Sequence, residues 1–333
     1  MKHINEWATK TLFDKELLTE EQHHKISHYR SFTIFSLNAE LKLFLYLSVL
    51  LFTSGIGILI YNNINTIGHS IIIALNVVLM MICYYFSFKK APVFQKKQTH
   101  FESPVMEYIV LTANLLTCIL ISYLQLQYNT FGTNYGLATI IPTTIGLFCG
   151  YYFDNKNVLS LAITGLAAYI GLTVTPQSLL NNNLYNTDTL SYSAIGLGIL
   201  LITWNYYSSQ INLKKHFELI FLTFAIHLIG IACVNNILDN PYYLLFSVAL
   251  SASTFYFYKL SYKIKSVSLF VFTFFYAFVG FNITIFKILN SIELDSFFEF
   301  LLVFSPFYFI GLTYLFVQMI RKFNLEIKND SIR

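Results

Sequence analysis

Charge is what this chain has least of: Asp, Glu, Lys and Arg make up 11% of its 333 residues, and none falls between residues 43 and 60. Arginine is scarcer still, confined to Arg30, Arg321 and Arg333, all outside the apolar runs. Enzymes that grip phosphate, CoA or polyprenyl carriers inside a membrane need buried basic groups, so membrane acyltransferases and glycan polymerases are disfavoured. The four cysteines, Cys83, Cys118, Cys149 and Cys233, lie singly in apolar runs without C-x-x-C spacing, which argues for packing and against disulfides, clusters or zinc. His24 and His28 stand one helical turn apart, but no Cys or acidic third ligand is specified nearby, and a solvated helix face accounts for them. No Gly-rich phosphate loop, nucleophile elbow or paired intramembrane carboxylate is present, so no catalytic residue, metal or cofactor is expected.

What the chain has in abundance is apolar surface. Hydrophobic residues make up 56% and aromatics 18%, and the mean hydropathy is +0.58, far from the range of soluble domains. The expected fold is all-α, a polytopic bundle of transmembrane helices. Residues 43–60 form a first uncharged run, and at about 1.5 Å per residue such a run approaches the thickness of a bilayer core. Further apolar segments follow at 69–88, 106–126, 134–152, 157–175, 190–207, 216–234, 241–258, 266–286 and 299–320, giving an expectation of about ten spans. All of the 21 Lys and Arg except Lys287 fall in loops or termini on one side of that arrangement. By the positive-inside rule both termini are then cytoplasmic. Net charge +4 is therefore spent on insertion and headgroups, and nucleic acid is not implied.

The expected domains are a cytosolic segment at 1–41, a ten-helix membrane domain at 42–320 and a cytosolic tail at 321–333. Ile4, Trp7, Ala8, Thr11 and Leu12 recur at helical spacing, and Thr19-Glu20-Glu21-Gln22 has the form of a capping box opening a second helix toward Tyr29. This predicts a short amphipathic helix pair, retained rather than cleaved, that either packs on the membrane face or docks a cytosolic partner. Small residues one turn apart at Gly146/Gly150, Ala167/Gly171 and Ala194/Gly198 predict close helix approach and a packed centre in spans four to six.

GILIYNNIN from Gly57 and GIACVNNIL from Gly230 share Gly, Ile, Asn, Asn and Ile, placing Asn62-Asn63 and Asn235-Asn236 at outer helix ends. Pro142 and Pro306, each followed by Ile-Gly-Leu, are expected helix kinks in spans four and ten. These matches fit two parallel four-helix units separated by two spans.

Polar groups deep in the apolar runs are few, which makes them the candidates for function. His227 lies near the middle of span seven, and Asn76, Asn114, Asn205 and Asn282 lie inside other spans. Hydrogen bonding between helices explains each one; convergence of the five would instead line a polar cavity.

Trp7, Leu17-Leu18-Thr19-Glu20-Glu21-Gln22, Ile26 and Tyr29, followed by a span ending Gly55-Ile56-Gly57-Ile58-Leu59-Ile60-Tyr61-Asn62-Asn63, resemble the predicted bacterial membrane proteins called domain of unknown function 2157. The chain departs from the family pattern at Asn63-Ile64, where that pattern favours Asn-Trp. The resemblance implies a short cytosolic helical start, a polytopic body and a bacterial inner membrane, and it brings no activity or cofactor. The leading functional expectation is transport or export of a small neutral or amphipathic solute. The alternative is a membrane scaffold or sensor whose residues 1–41 bind a partner.

Overall fold

The computed structural model describes residues 12–13, 18–31, 38–174, 188–291 and 295–330. Among them no strand occurs and helices predominate. The helices are α1 Glu20–Ser31, α2 Asn38–Ile67, α3 His69–Lys89, α4 Pro104–Tyr128, α5 Tyr135–Tyr152, α6 Lys156–Val174, α7 Asp188–Gln210, α8 Glu218–Asp239, α9 Tyr243–Ile264, α10 Val267–Ser291 and α11 Asp295–Asp330. A single 3-10 turn, Lys215–Phe217, leads into α8. Among the described residues six helices, those containing Glu40–Leu59, His69–Lys89, Pro104–Tyr128, Lys156–Thr173, Lys215–Asp239 and Val267–Ser291, are long and apolar enough to cross a membrane. The others are less uniformly apolar: α7 and α9 carry Ser and Tyr along their length, α5 carries Thr and Pro, and α11 ends in charges.

Two compact units are distinguishable, residues 1–52 and 53–333. In the first, the capping box forms as its sequence predicts. Thr19 N–H donates to Gln22 Oε1 (3.0 Å) and Gln22 N–H donates back to Thr19 Oγ1 (3.3 Å), satisfying two of the donors a helix start leaves open. Lys25 and Glu21 pair at 2.7 Å on the same helix. The helix is polar nearly all round, with only Ile26 and Tyr29 apolar, so the expected amphipathic face is not there in α1. The preceding helix expected around Ile4–Leu12 lies outside the described residues, apart from Leu12.

In the second unit, helices adjacent in sequence pack together from α3 onward, and α8 also touches α10 and α6. The core is built on α8: Leu222, Ala225, Ile226, Ile229, Cys233 and Ile237 are buried against Leu159, Ile163, Leu197 and Leu201. The packed centre thus lies one helix later than the expected spans four to six. Those spans do supply the closest backbone approach. A Cβ on Gly146 would stand 3.2 Å from the Ala162 Cβ, and one on Gly150 would stand 3.1 Å from the Leu159 backbone, so the two glycines let α5 settle onto α6. A Cβ on Gly198 would meet Ile229, whereas one on Gly171 would meet nothing within 4 Å. The small-residue pattern thus marks close approach at three of these glycines and open space for a Cβ at the fourth.

Helix limits follow local chemistry. Pro104 opens α4 at a position where its missing N–H costs nothing. Asn129 and Lys265 close α4 and α9 in the left-handed conformation. Pro142 and Pro306 both sit inside unbroken helices. Residues 321–330, expected as a tail, continue α11 through Asp330. Phe323, fully buried, stacks on Phe270 at 4.2 Å and meets Tyr262 edge-on at 4.7 Å, which holds the end of the helix against the bundle.

Candidate functional site

The segments joining α3 to α4, α5 to α6 and α7 to α8 meet at one end of the bundle. This is the end where Lys89, Lys156 and Lys215 terminate or open their helices. There the carboxylate of Asp154 is 1% exposed and the side chain of Lys214 is wholly buried. Lys214 Nζ donates to Asp154 Oδ2 at 2.9 Å, and Thr99 N–H donates to the same oxygen at 2.6 Å. His216 Nε2 bonds the other oxygen, Oδ1. The remaining ammonium protons of Lys214 reach Lys97 O (3.2 Å) and Thr99 Oγ1 (3.3 Å), and its backbone N–H donates to Lys96 O (2.7 Å). The Phe94 ring stands 5.4 Å from Nζ. A buried charge pair is tolerated only when such hydrogen bonds satisfy both partners, and here they do.

Asp154 and Lys214 both adopt positive φ, 56° and 48°, which non-glycine residues hold only where the surroundings impose it. Next to Asp154, Asn155 Oδ1 accepts from Asn157 N–H (3.0 Å) and Val158 N–H (3.1 Å), capping α6, while its Nδ2 donates to Glu107 O (2.7 Å). Burial by itself would raise the Asp154 pKa, but the Thr99 amide, Lys214 and His216 outweigh it and hold the carboxyl below its ordinary value. Chemically the junction is a clamp, because its donors and acceptors are consumed by one another.

The expected polar residues are placed in separate helix pairs. His227 on α8 hydrogen-bonds Tyr276 Oη on α10 at 2.8 Å and lies edge-on to Phe272 at 4.4 Å. Asn282 donates to Phe278 O of its own helix (2.7 Å), and Asn114 donates to Val110 O (2.9 Å) while its Oδ1 has no partner among the described residues. Asn76 on α3 is buried with neither side-chain atom bonded, and Asn205 is buried on α7. None of the five lines the cavities of about 840, 740 and 750 Å³ found among the described residues. At the helix ends expected to face outward, Asn236 is buried and donates to Ala232 O (2.8 Å), Asn235 is half-buried and Asn62 is exposed; the Asn63 side chain lies outside the described residues.

The cavities are apolar. One, about 840 Å³, lies between α9, α10 and α11, walled by Phe255, Phe274, Phe278, Phe281, Leu312 and Phe316. Hydroxyls provide its polarity, among them Ser247 Oγ and Thr284 Oγ1, which bond each other across the wall at 2.7 Å. A second groove, about 740 Å³, opens beside the Asp154 junction between α5, α6 and α7. Neither contains a charged residue in its lining.

Sequence reading missed the junction. Lys214 registered only as one of the basic residues that set orientation, and Asp154 not at all. The available signal was an acid in a tight connection, Phe153-Asp154-Asn155, in a chain with so few acids that each one inside the membrane domain needs a partner.

Residues 10–159 match the family model described as Predicted membrane protein (DUF2157). That match bears out the resemblance seen in the amino-terminal segment and extends it into α6, taking in Thr99 and Asp154 but not Lys214 or His216. No curated protein and no solved structure matches the chain.

Proposed function

We propose that this membrane protein moves or exports a small neutral or amphipathic solute, with ten spans and both termini in the cytoplasm of a bacterial cell. One observation carries the reading: the large cleft between α9, α10 and α11 is lined by phenylalanines and hydroxyls without a charge. Sites of about 300–1,000 Å³ with an apolar wall and a few polar groups suit compounds of that class. Such a site offers no counter-ion for a charged substrate. The orientation is supported by the lysines gathered around the Asp154 junction, whereas Lys287 lies toward the opposite end of α10 with its Nζ 5.2 Å from the Tyr243 ring centroid.

The test is flux of a fluorescent fatty alcohol from proteoliposomes containing the full chain. Ser251→Trp, at the exposed lip of the cleft, should abolish flux while leaving the amount of inserted protein unchanged. Flux no faster than from protein-free liposomes would sink the reading. A second reading is supported by the capped, exposed α1: residues 1–41 hold a cytosolic partner and the spans act as anchor. In that case deletion of residues 1–30 removes function without affecting insertion, and a pull-down that recovers no specific partner rules it out.

A further inference from the structure

We propose that the groove beside the Asp154 junction is a binding site for one anionic phospholipid, with an acyl chain between α5, α6 and α7 and the headgroup on the lysines of the adjoining loops. The groove wall is formed by Leu147, Phe148, Ile163, Leu166, Leu200 and Leu201. Its mouth is marked by Phe94, Leu213 and Trp204, the last donating from Nε1 to Tyr151 Oη at 2.7 Å. An indole fixed by a hydrogen bond where apolar wall gives way to polar loop is the arrangement found at membrane interfaces.

The choice of an anionic lipid rests on charge. Phe94 and Leu213 line the groove, and Lys96, Lys97 and Lys215, all exposed, follow them within three residues. The backbone carbonyls of Lys96 and Lys97 are fixed against Lys214 at 2.7 and 3.2 Å, so their side chains are tethered beside the mouth. Of the acids nearby, Asp154 is consumed by Lys214 and His216, and Glu107 faces His100 at 3.7 Å. Glu102, exposed on the connection that carries Lys96 and Lys97, and Glu218 on the α8 side are the acids left, and the three lysines outnumber them. Lysines at a groove between membrane helices attract anionic headgroups and form point-charge contacts to phosphate without needing arginine. This site is independent of the cleft proposed for transport, and either can fail without the other.

The chain offers its own probe, since it has two tryptophans, Trp7 and Trp204. In full-length protein carrying Trp7→Phe, Trp204 is the sole reporter. The protein is reconstituted into phosphatidylcholine vesicles containing acyl-brominated phosphatidylglycerol or, at equal mole fraction, acyl-brominated phosphatidylcholine. Stronger quenching by the brominated phosphatidylglycerol is expected, with the preference falling by about fivefold for each lysine removed in the series Lys96→Gln, Lys97→Gln, Lys215→Gln. The three lysines are exposed, so these variants keep the fold, and an unchanged circular dichroism spectrum checks it. Equal quenching by the two lipids, or a preference that survives all three substitutions, overturns the proposal. So does a brominated fatty alcohol that displaces phosphatidylglycerol from Trp204 regardless of the lysines, which would make the occupant neutral.

Discussion

α2 and α8 share the pattern Gly-Ile, three residues, Asn-Asn-Ile, yet they occupy opposite environments. Half of the apolar window of α8 is buried, against 6% of that in α2. Gly57 has open space where its Cβ would be, whereas Gly230 faces the ring of Tyr276. Asn62 is exposed, whereas its counterpart Asn235 is half-buried and the neighbouring Asn236 is buried and bonded. Similar residues at similar depth therefore do different work, because a helix in a bilayer is assigned to lipid or to protein by its neighbours and not by its apolarity.

Paired substitutions make that contrast measurable through unfolding of the purified protein in detergent. The largest effect is expected at the junction through which the chain enters α8. Asp154→Ala strands the buried Lys214 and should cost about 3–5 kcal/mol, the range for breaking a buried ion pair. A loss under about 1 kcal/mol would show that water reaches Lys214 and that the clamp does not anchor α8. Next, Leu222→Ala should cost about 2–5 kcal/mol through the cavity it leaves, while the exposed Ile58→Ala stays within about 0.5 kcal/mol. Equal costs would erase the distinction between the helices. Gly230→Leu forces the Tyr276 ring aside and should cost about 1–3 kcal/mol, with Gly57→Leu close to neutral. Asn236→Ala should lose about 0.5–1.5 kcal/mol and Asn62→Ala nothing measurable.

The smallest effect is the response to pH. The folded Asp154 pKa lies below its ordinary value, so its contribution is complete above the unfolded carboxyl's pKa. That contribution is lost as pH falls through the folded one. Acid therefore lowers the melting temperature, raising pH from neutral does not engage this group, and Asp154→Asn should flatten the acid limb. An acid limb unchanged in that variant would assign it to other carboxylates.

Much of this was legible beforehand, and the reasons are physical. Apolar length located the helices, because a spanning helix satisfies its backbone internally and needs only about 20 apolar residues in a row. The Thr19–Gln22 capping box was readable because both its partners lie within one turn. His227 was recognisable as polar within an apolar run, but its bond to Tyr276 joins positions on two helices, and nothing in the spacing selects that tyrosine among the chain's 24. The junction was less legible again. Thr99, Asp154, Lys214 and His216 come from three connections, and each is an unremarkable loop residue until packing buries Asp154 and Lys214 and brings the other two against them. The same limit concealed α8 as the centre, since lipid-facing and protein-facing helices draw on one apolar alphabet.

Lys214 also has a history within a single molecule's lifetime. While the chain is being inserted, its ammonium is one of the topogenic charges that, under the proposed orientation, keep the loop between α7 and α8 on the cytoplasmic side. Once Asp154 and the carbonyl of Lys97 close around it, the side chain has no exposed surface and contributes almost nothing to the field outside. The charge that directs assembly is thus withdrawn by assembly. A variant lacking Asp154 should insert with the same topology as the parent and fail only afterwards, separating the biogenesis of this protein into a step that reads Lys214 as a free cation and a later one that neutralises it.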